Sequence, residues 1–278
     1  MRVEVEGERL FFDVEGAKLR PSGPWLEEVP TVAIVHTGPA ADHTPYRDHV
    51  GPVLARSAQV LYLDLRGCGR SDANDRRGWN VEQWSSDLRA LFRLLHVERP
   101  IVLGHGWGAF PALRYAQRWP DELSKLILVN PTARIVVPRI VSRFDELGGA
   151  AAGEAAHNFF ERPSEQTIGT YMHECFWVLI PSIDAVGVMV SPIWNFELAV
   201  HWVDNEARTL DLRPGLASIK APTYVFAGTD DAQYPAASIE EVVAGIPGAN
   251  AVWFEGARHS VFRDAPQSLA LVHEVVAS

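Results

Sequence analysis

Six short apolar runs, with helical patterns between them, constrain what this chain can fold into more than any other feature. The runs are Thr31–His36, Gln59–Leu65, Pro100–Leu103, Leu123–Val129, Pro222–Ala227 and Asn250–Phe254. Continuous apolar runs, rather than strict alternation, are what strands covered on both faces require. Within Val81–Val97, the residues Trp84, Leu88, Leu91 and Leu95 recur at helical spacing, so one face of that helix is apolar. Ala109–Trp119, Ile239–Ile246 and Leu269–Val276 read as further helices. Strands alternating with helices predict an α/β fold: a mostly parallel sheet flanked by helices, with right-handed crossovers. The opening residues alternate apolar and charged side chains and predict an antiparallel hairpin at the sheet edge.

The alternation breaks once. Between residues 134 and 215 no strand–helix rhythm is visible, but Trp177, Trp194 and Trp202 are. Residues 134–215 are therefore expected to form a helical lid inserted into a core made of residues 1–133 and 216–278. A second independent domain is the alternative, less suited to a segment with so little punctuation.

Composition excludes several classes of protein. With 278 residues, 47% hydrophobic and 22% charged, the chain has an ordinary globular profile. Its mean hydropathy is −0.03. The net charge of −10 argues against a polyanionic partner such as DNA. No stretch approaches the roughly 18 apolar residues of a membrane span, and the N-terminus lacks a signal-peptide apolar stretch. The two cysteines, Cys68 and Cys175, are too few for a disulfide scaffold or a zinc site. The expectation is a soluble, cytoplasmic protein acting on a small molecule, without nucleic-acid or membrane partners, with room for a homo-oligomer.

Four local patterns carry the chemistry. They are His36-Thr37-Gly38-Pro39 after a strand, and Asp64-Leu65-Arg66-Gly67-Cys68-Gly69-Arg70-Ser71 after another. The third is the strand-to-helix turn Gly104-His105-Gly106-Trp107-Gly108. The fourth is Gly228-Thr229-Asp230-Asp231, followed downstream by His259. In this order and spacing they resemble the α/β-hydrolase superfamily over nearly the whole chain. The DLRGCGRSD stretch is most similar to the proline iminopeptidase branch.

The resemblance implies a nucleophile elbow at Gly104–Gly108, in the pattern G-x-S-x-G. Here the central residue is Gly106. The family's serine is absent, and so is the aspartate of epoxide hydrolases and haloalkane dehalogenases. Glycine has no nucleophile, so position 106 is vacant for covalent catalysis. Three explanations stand open: a nucleophile replaced on purpose to leave an inactive, ligand-trapping form; a natural pseudoenzyme or binding protein; and an enzyme whose His–Asp pair acts as a general base without a covalent step. If the parent elbow held serine, the chemistry is hydrolysis of an ester, lactone or amide. If it held aspartate, the chemistry is that of an epoxide hydrolase or dehalogenase.

The resemblance also assigns His259 as the base and Asp231 as the acid that orients it, with neighbouring Asp230 as the alternative acid. It places the oxyanion hole at the backbone N–H of Trp107 and that of Gly38 or Thr37. His36 and His105 read as bracing and packing residues. Cys68 reads as turn architecture and Cys175 as apolar packing. Trp177, Trp194, Phe196 and Trp202 are expected to line a substrate pocket. Glu197 resembles an acidic position that reads a substrate amine in proline iminopeptidases, and a solvated surface glutamate is the alternative. The residues imply no organic cofactor or metal. Gly104, Gly106 and Gly108 begin a G-x-G-x-x-G pattern, but the third glycine falls out of register.

Overall fold

A computed structural model describes residues 1–181 and 185–278, so residues 182–184 of the expected lid lie outside the described residues. The strands are β1 (Arg2–Val5), β2 (Glu8–Glu15), β3 (Leu19–Ser22), β4 (Trp25–Glu28), β5 (Thr31–Val35), β6 (Gln59–Asp64), β7 (Ile101–His105), β8 (Lys125–Val129), β9 (Thr223–Gly228) and β10 (Asn250–Phe254). The helices are α1 (Val50–Leu54), α2 (Val81–Leu94), α3 (Ala109–Arg118), α4 (Val137–Gly148), α5 (Ala150–Glu161), α6 (Glu165–Leu179), α7 (Ala185–Val190), α8 (Phe196–Trp202), α9 (Ala236–Gly245), α10 (Val261–Asp264) and α11 (Gln267–Ala277). Eight strands form one sheet in the order β1-β2-β6-β5-β7-β8-β9-β10. From β6 to β10 the pairing is parallel; β1 and β2 add an antiparallel edge. β3 and β4 form a separate hairpin, so the expected edge hairpin accounts only for the first two strands.

The apolar runs explain the layering. Strand side chains alternate between faces. Ala33 and Val35 of β5 and Val102 of β7 therefore pack on one side with Trp84, Leu88 and Leu91 of α2, Phe110 and Leu113 of α3, and Ile239 of α9. Val32, Ile34, Ile101 and Leu103 face the other side, against Val50 and Leu54 of α1 and Val272 and Val276 of α11. Every residue of β5 and β7 is buried, as a doubly covered strand requires. Helix α2 starts where Asn80 caps it, its side chain accepting from Gln83 N at 2.8 Å.

Between β8 and β9 the chain leaves the sheet for α4–α8. Departure and return meet at a neck. Arg134 and Asp211 form an isolated antiparallel bridge, and Leu212 N donates to Ala133 O at 2.9 Å. Arg134 and Arg139 both bind Glu241 of α9, at 2.9 and 2.7 Å, and the two guanidinium groups hold that carboxyl down at about 2. Among the described residues, no helix is long and apolar enough to cross a membrane.

Because β6 and β7 flank β5, successive crossovers run in opposite directions from β5. The crevice outside the carboxyl ends of β5 and β7 is where an open α/β sheet offers a ligand site. The loops after β5, β7, β9 and β10 all open on that edge.

Candidate active site

Each of these four loops brings one chemical element. The turn after β7 contributes Gly106, held at φ +55°, a left-handed conformation that glycine adopts without penalty. A Cβ at this position would lie 2.7 Å from His259 Nε2 and 2.7 Å from Thr37 Oγ1. The space above the elbow is thus taken by an imidazole and a hydroxyl. Two residues on, a Cβ at Gly108 would stand 2.3 Å from Val35 O, so the turn passes the end of β5 only without a side chain there.

Asp231, fully buried, sits in the loop after β9. Its Oδ1 accepts from Gln233 N at 2.8 Å and Tyr234 N at 3.2 Å, and its Oδ2 lies 2.9 Å from His259 Nδ1. An ionised carboxylate only accepts, so Nδ1 of neutral His259 carries the proton and Nε2 is left as an acceptor. The Thr37 hydroxyl, 3.0 Å from Nε2, therefore donates to it. Asp230 turns the other way and pairs with Arg143 of α4 at 2.7 Å.

A second chain of hydrogen bonds fixes the loops that carry Thr37 and His259. Thr37 N donates to Tyr46 Oη at 3.0 Å, and Tyr46 Oη lies 2.9 Å from His105 Nδ1. His105 Nε2 lies 2.8 Å from His259 O. A carbonyl can only accept, so His105 carries its proton on Nε2 and Tyr46 donates to Nδ1. Burial, reinforced by the neighbouring His259, pushes the His105 pKa down to about 3, which keeps the ring neutral. Asn130, at φ +45°, also holds the His259 loop, donating Nδ2–H to His259 O at 3.0 Å.

Thr37 N is thereby engaged with Tyr46. Gly38 N donates to no protein group among the described residues. Trp107 N lies in the first turn after the elbow, where a helix has no internal acceptor. Among the described residues these two N–H groups carry no bond to another loop. His36 is buried between loops, with Nδ1 against Thr37 O at 3.3 Å and Nε2 accepting from Leu65 N at 3.4 Å. It braces the turn.

Above the loops lies a cavity of about 150 Å³. Thr37, Gly38, Trp107, Tyr234 and His259 form its floor, with Tyr171, Phe176, Trp194, Phe196 and Trp202 among the apolar groups of its walls. Tyr171 of α6 reaches down to hydrogen-bond Gln233 Oε1 beside Asp231. Two expected pocket residues stand elsewhere. Trp177 is 44% exposed, because α6 turns Phe176 rather than Trp177 inward. Glu197 is on the outer face of α8, paired with Arg76 of the core at the surface, and borders a separate surface groove with Glu165, Ile168 and Met172.

The cysteines offer no nucleophile. Burial, with Asp64 and Asp42 nearby, pushes the Cys68 thiol well above its ordinary pKa, and its Sγ contacts Pro39 O at 3.5 Å. Burial likewise raises the Cys175 thiol to about 12. Among the described residues, no three His, Cys, Asp or Glu side chains converge into a metal-binding group.

Tyr46 and Asn130 escaped sequence reasoning. Asn130 follows a strand directly, a position where a left-handed asparagine is a recognisable signal. Tyr46 carried none, since it meets His105 across 59 residues of sequence.

The alpha/beta hydrolase fold family model matches residues 30–266. A proline iminopeptidase of Levilactobacillus brevis is 24% identical over 285 residues, covering 95% of this chain and 93% of that protein. The enol-lactonase from Burkholderia xenovorans superposes with a TM-score of 0.71 at 23% identity, covering 100% of both chains. A proline iminopeptidase-related protein from Thermus thermophilus superposes with a TM-score of 0.77 at 24% identity, covering 100% of this chain and 96% of that one. At these identities the structural likeness establishes the fold.

Proposed function

This chain belongs to the α/β-hydrolase fold family, and from that premise we propose that it hydrolyses an ester, lactone or amide bond in a small, apolar organic molecule. His259 is the base, Asp231 fixes its tautomer, and the N–H groups of Trp107 and Gly38 receive the negative charge that develops on the substrate carbonyl oxygen. The helices between β8 and β9 act as the lid. Position 106 is inactive in this scheme, since it contributes no nucleophile.

The observation that carries the reading is the His259–Asp231 pair, 2.9 Å apart, facing an apolar cavity through the second ring nitrogen. A cavity of about 150 Å³ matches a small ring or short acyl chain; an engineered apolar cavity of that volume binds benzene. Enol-lactonase and esterase neighbours point the same way. An aminopeptidase role has less support, because Glu197 pairs with Arg76 outside the cavity.

The test is turnover of p-nitrophenyl esters from acetate to octanoate, and of small lactones, by the chain as it stands. His259→Ala should cut turnover by roughly 10²–10⁴-fold, the range for a positioned base. Turnover that survives this substitution removes His259 from the chemistry. Saturable binding of the same molecules without turnover would make the cavity a ligand-binding site.

A further inference from the structure

We propose that Thr37 is the covalent nucleophile, standing in for the residue that the glycine elbow lacks. This rests on the hydrolytic reading above and names the group that attacks.

A hydroxyl activated for attack needs a base at hydrogen-bond distance and a third group that orients the base. Thr37 Oγ1, His259 Nε2, His259 Nδ1 and Asp231 Oδ2 form that series at 3.0 and 2.9 Å. Among the described residues, no other hydroxyl hydrogen-bonds the His259 ring. Thr37 also borders the cavity beside His259.

Gly106 and Thr37 are matched. A Cβ at position 106 would stand 2.7 Å from Thr37 Oγ1 and 2.7 Å from the imidazole, too close for all three to keep these positions. A side chain at the elbow would therefore push the threonine hydroxyl or the imidazole off this contact. Glycine leaves the hydroxyl where it stands.

The Thr37 hydroxyl is also held in place. Its backbone N–H is tied to Tyr46, Tyr46 to His105, and His105 to the carbonyl of His259. That closed circuit fixes the distance between the two loops. Threonine's β-branch restricts χ1, so the hydroxyl loses little freedom when it engages Nε2.

The chemistry balances. Thr37 Oγ1 attacks the carbonyl carbon while its proton passes to His259 Nε2. The bond to the leaving group breaks, and the leaving group takes that proton. Water then attacks the Thr37 acyl ester, giving a proton to Nε2. The acid departs as Oγ1 recovers the proton.

The experiment is rapid mixing with p-nitrophenyl acetate, followed by acid quench and mass spectrometry of the peptide containing residue 37. The expected result is a burst of about one p-nitrophenol per chain and an acetyl group on Thr37. Thr37→Val, close to isosteric, should abolish both and lower turnover at least roughly 10²-fold, with an unchanged circular dichroism spectrum. Thr37→Ser should restore the burst. His259-dependent turnover that survives Thr37→Val, or an acetyl group on another residue, overturns the proposal and leaves the hydrolytic reading intact, with water as nucleophile. A burst with acetyl-Thr37 but no steady turnover upholds the nucleophile and overturns the hydrolytic reading. Absence of both burst and turnover overturns both.

Discussion

Two buried histidine–aspartate pairs lie among the described residues, and one of them faces a cavity. His43 Nδ1 approaches Asp64 Oδ1 at 2.5 Å, and His259 Nδ1 approaches Asp231 Oδ2 at 2.9 Å. Both carboxylates are fully buried, and both accept backbone N–H bonds, Asp64 from His43 N and Arg70 N, Asp231 from Gln233 N and Tyr234 N. Burial pushes the Asp64 carboxyl up, but the hydrogen bond and charge of His43 outweigh it and hold that group low. The pairs differ at the outer face of the imidazole. The ring of His43 is stacked on Phe11 at 5.6 Å and tilted against Tyr62 at 5.5 Å. His259 presents Nε2 to Thr37 and to the cavity. A carboxylate–imidazole pair is thus structural or chemical according to what meets its second nitrogen. The first aspartate alone does not decide.

The strongest way to break this comparison is to remove each imidazole in turn. His259→Ala should lose roughly 10²–10⁴-fold in turnover. His43→Ala should leave turnover per folded molecule within about twofold. It should cost about 3 kcal/mol of stability, the lower end for breaking a buried pair, since Arg70 stays 3.7 Å from Asp64. Paired urea unfolding and esterase assays read both numbers. Equal loss of turnover in the two variants would end the distinction.

A smaller effect sharpens the contrast at the elbow. Gly106→Ser places a side chain at φ +55° and 2.7 Å from His259 and Thr37. The strain costs roughly 1–3 kcal/mol, offset by roughly 0.4–1 kcal/mol from the lower entropy of the unfolded chain. The melting temperature should fall by a few degrees, at about 2–4 °C per kcal/mol. A serine there should attack esters only when Thr37 also gives way, so Gly106→Ser with Thr37→Gly should be more active than Gly106→Ser alone. Calorimetry and burst assays on the matched variants decide it, and a higher melting temperature for Gly106→Ser would mean the elbow is unstrained.

The smallest effect separates His105 from both pairs. It has no carboxylate partner, and burial lowers its pKa from 6.5 to about 3. Between those values the unfolded chain binds a proton that the folded chain refuses. Stability therefore rises with pH in this window and falls as pH drops below 6.5. Buried His36 shifts in the same direction. The expected slope approaches about 1.4 kcal/mol per pH unit for each such proton. Urea unfolding between about pH 6 and about pH 5, inside that window, measures it; a flat profile would show that His105 is charged in the folded chain.

The parallel strands were legible because a strand buried on both faces leaves an uninterrupted apolar run, as in Thr31–Val35 and Ile101–His105. Their ends moved by a residue or two. Gly106, Asp231 and His259 were legible because their loops follow strands in a fixed order. Thr37 was named for its backbone N–H, but that donor is spent on Tyr46 and its hydroxyl is what meets His259. Nothing in the sequence distinguishes those two uses of one residue. Trp177 and Glu197 were misplaced for a different reason. The apolar composition of α6 and α8 suggests burial, but which face turns inward depends on packing against the core, which local sequence does not encode.

The neck at Arg134–Asp211 has a consequence for how this protein could diversify. Where a long excursion leaves and rejoins a scaffold within one hydrogen bond, its length adds little closure cost, since doubling a flexible loop costs only about 0.6 kcal/mol in closure entropy. A replacement must instead restore core contacts such as Glu206 on Val81 N and Asn195 on Gly67 O. The helices carrying Tyr171, Phe176, Trp194 and Trp202 can therefore be shortened, extended or exchanged as a cassette between Ala133 and Leu212, while β8 and β9 remain paired beneath them. Most walls of the cavity belong to the cassette and its floor, with Thr37 and His259, to the scaffold. Transplanting a foreign segment at this junction is a route to new substrate ranges that leaves Thr37, His259 and Asp231 where they are.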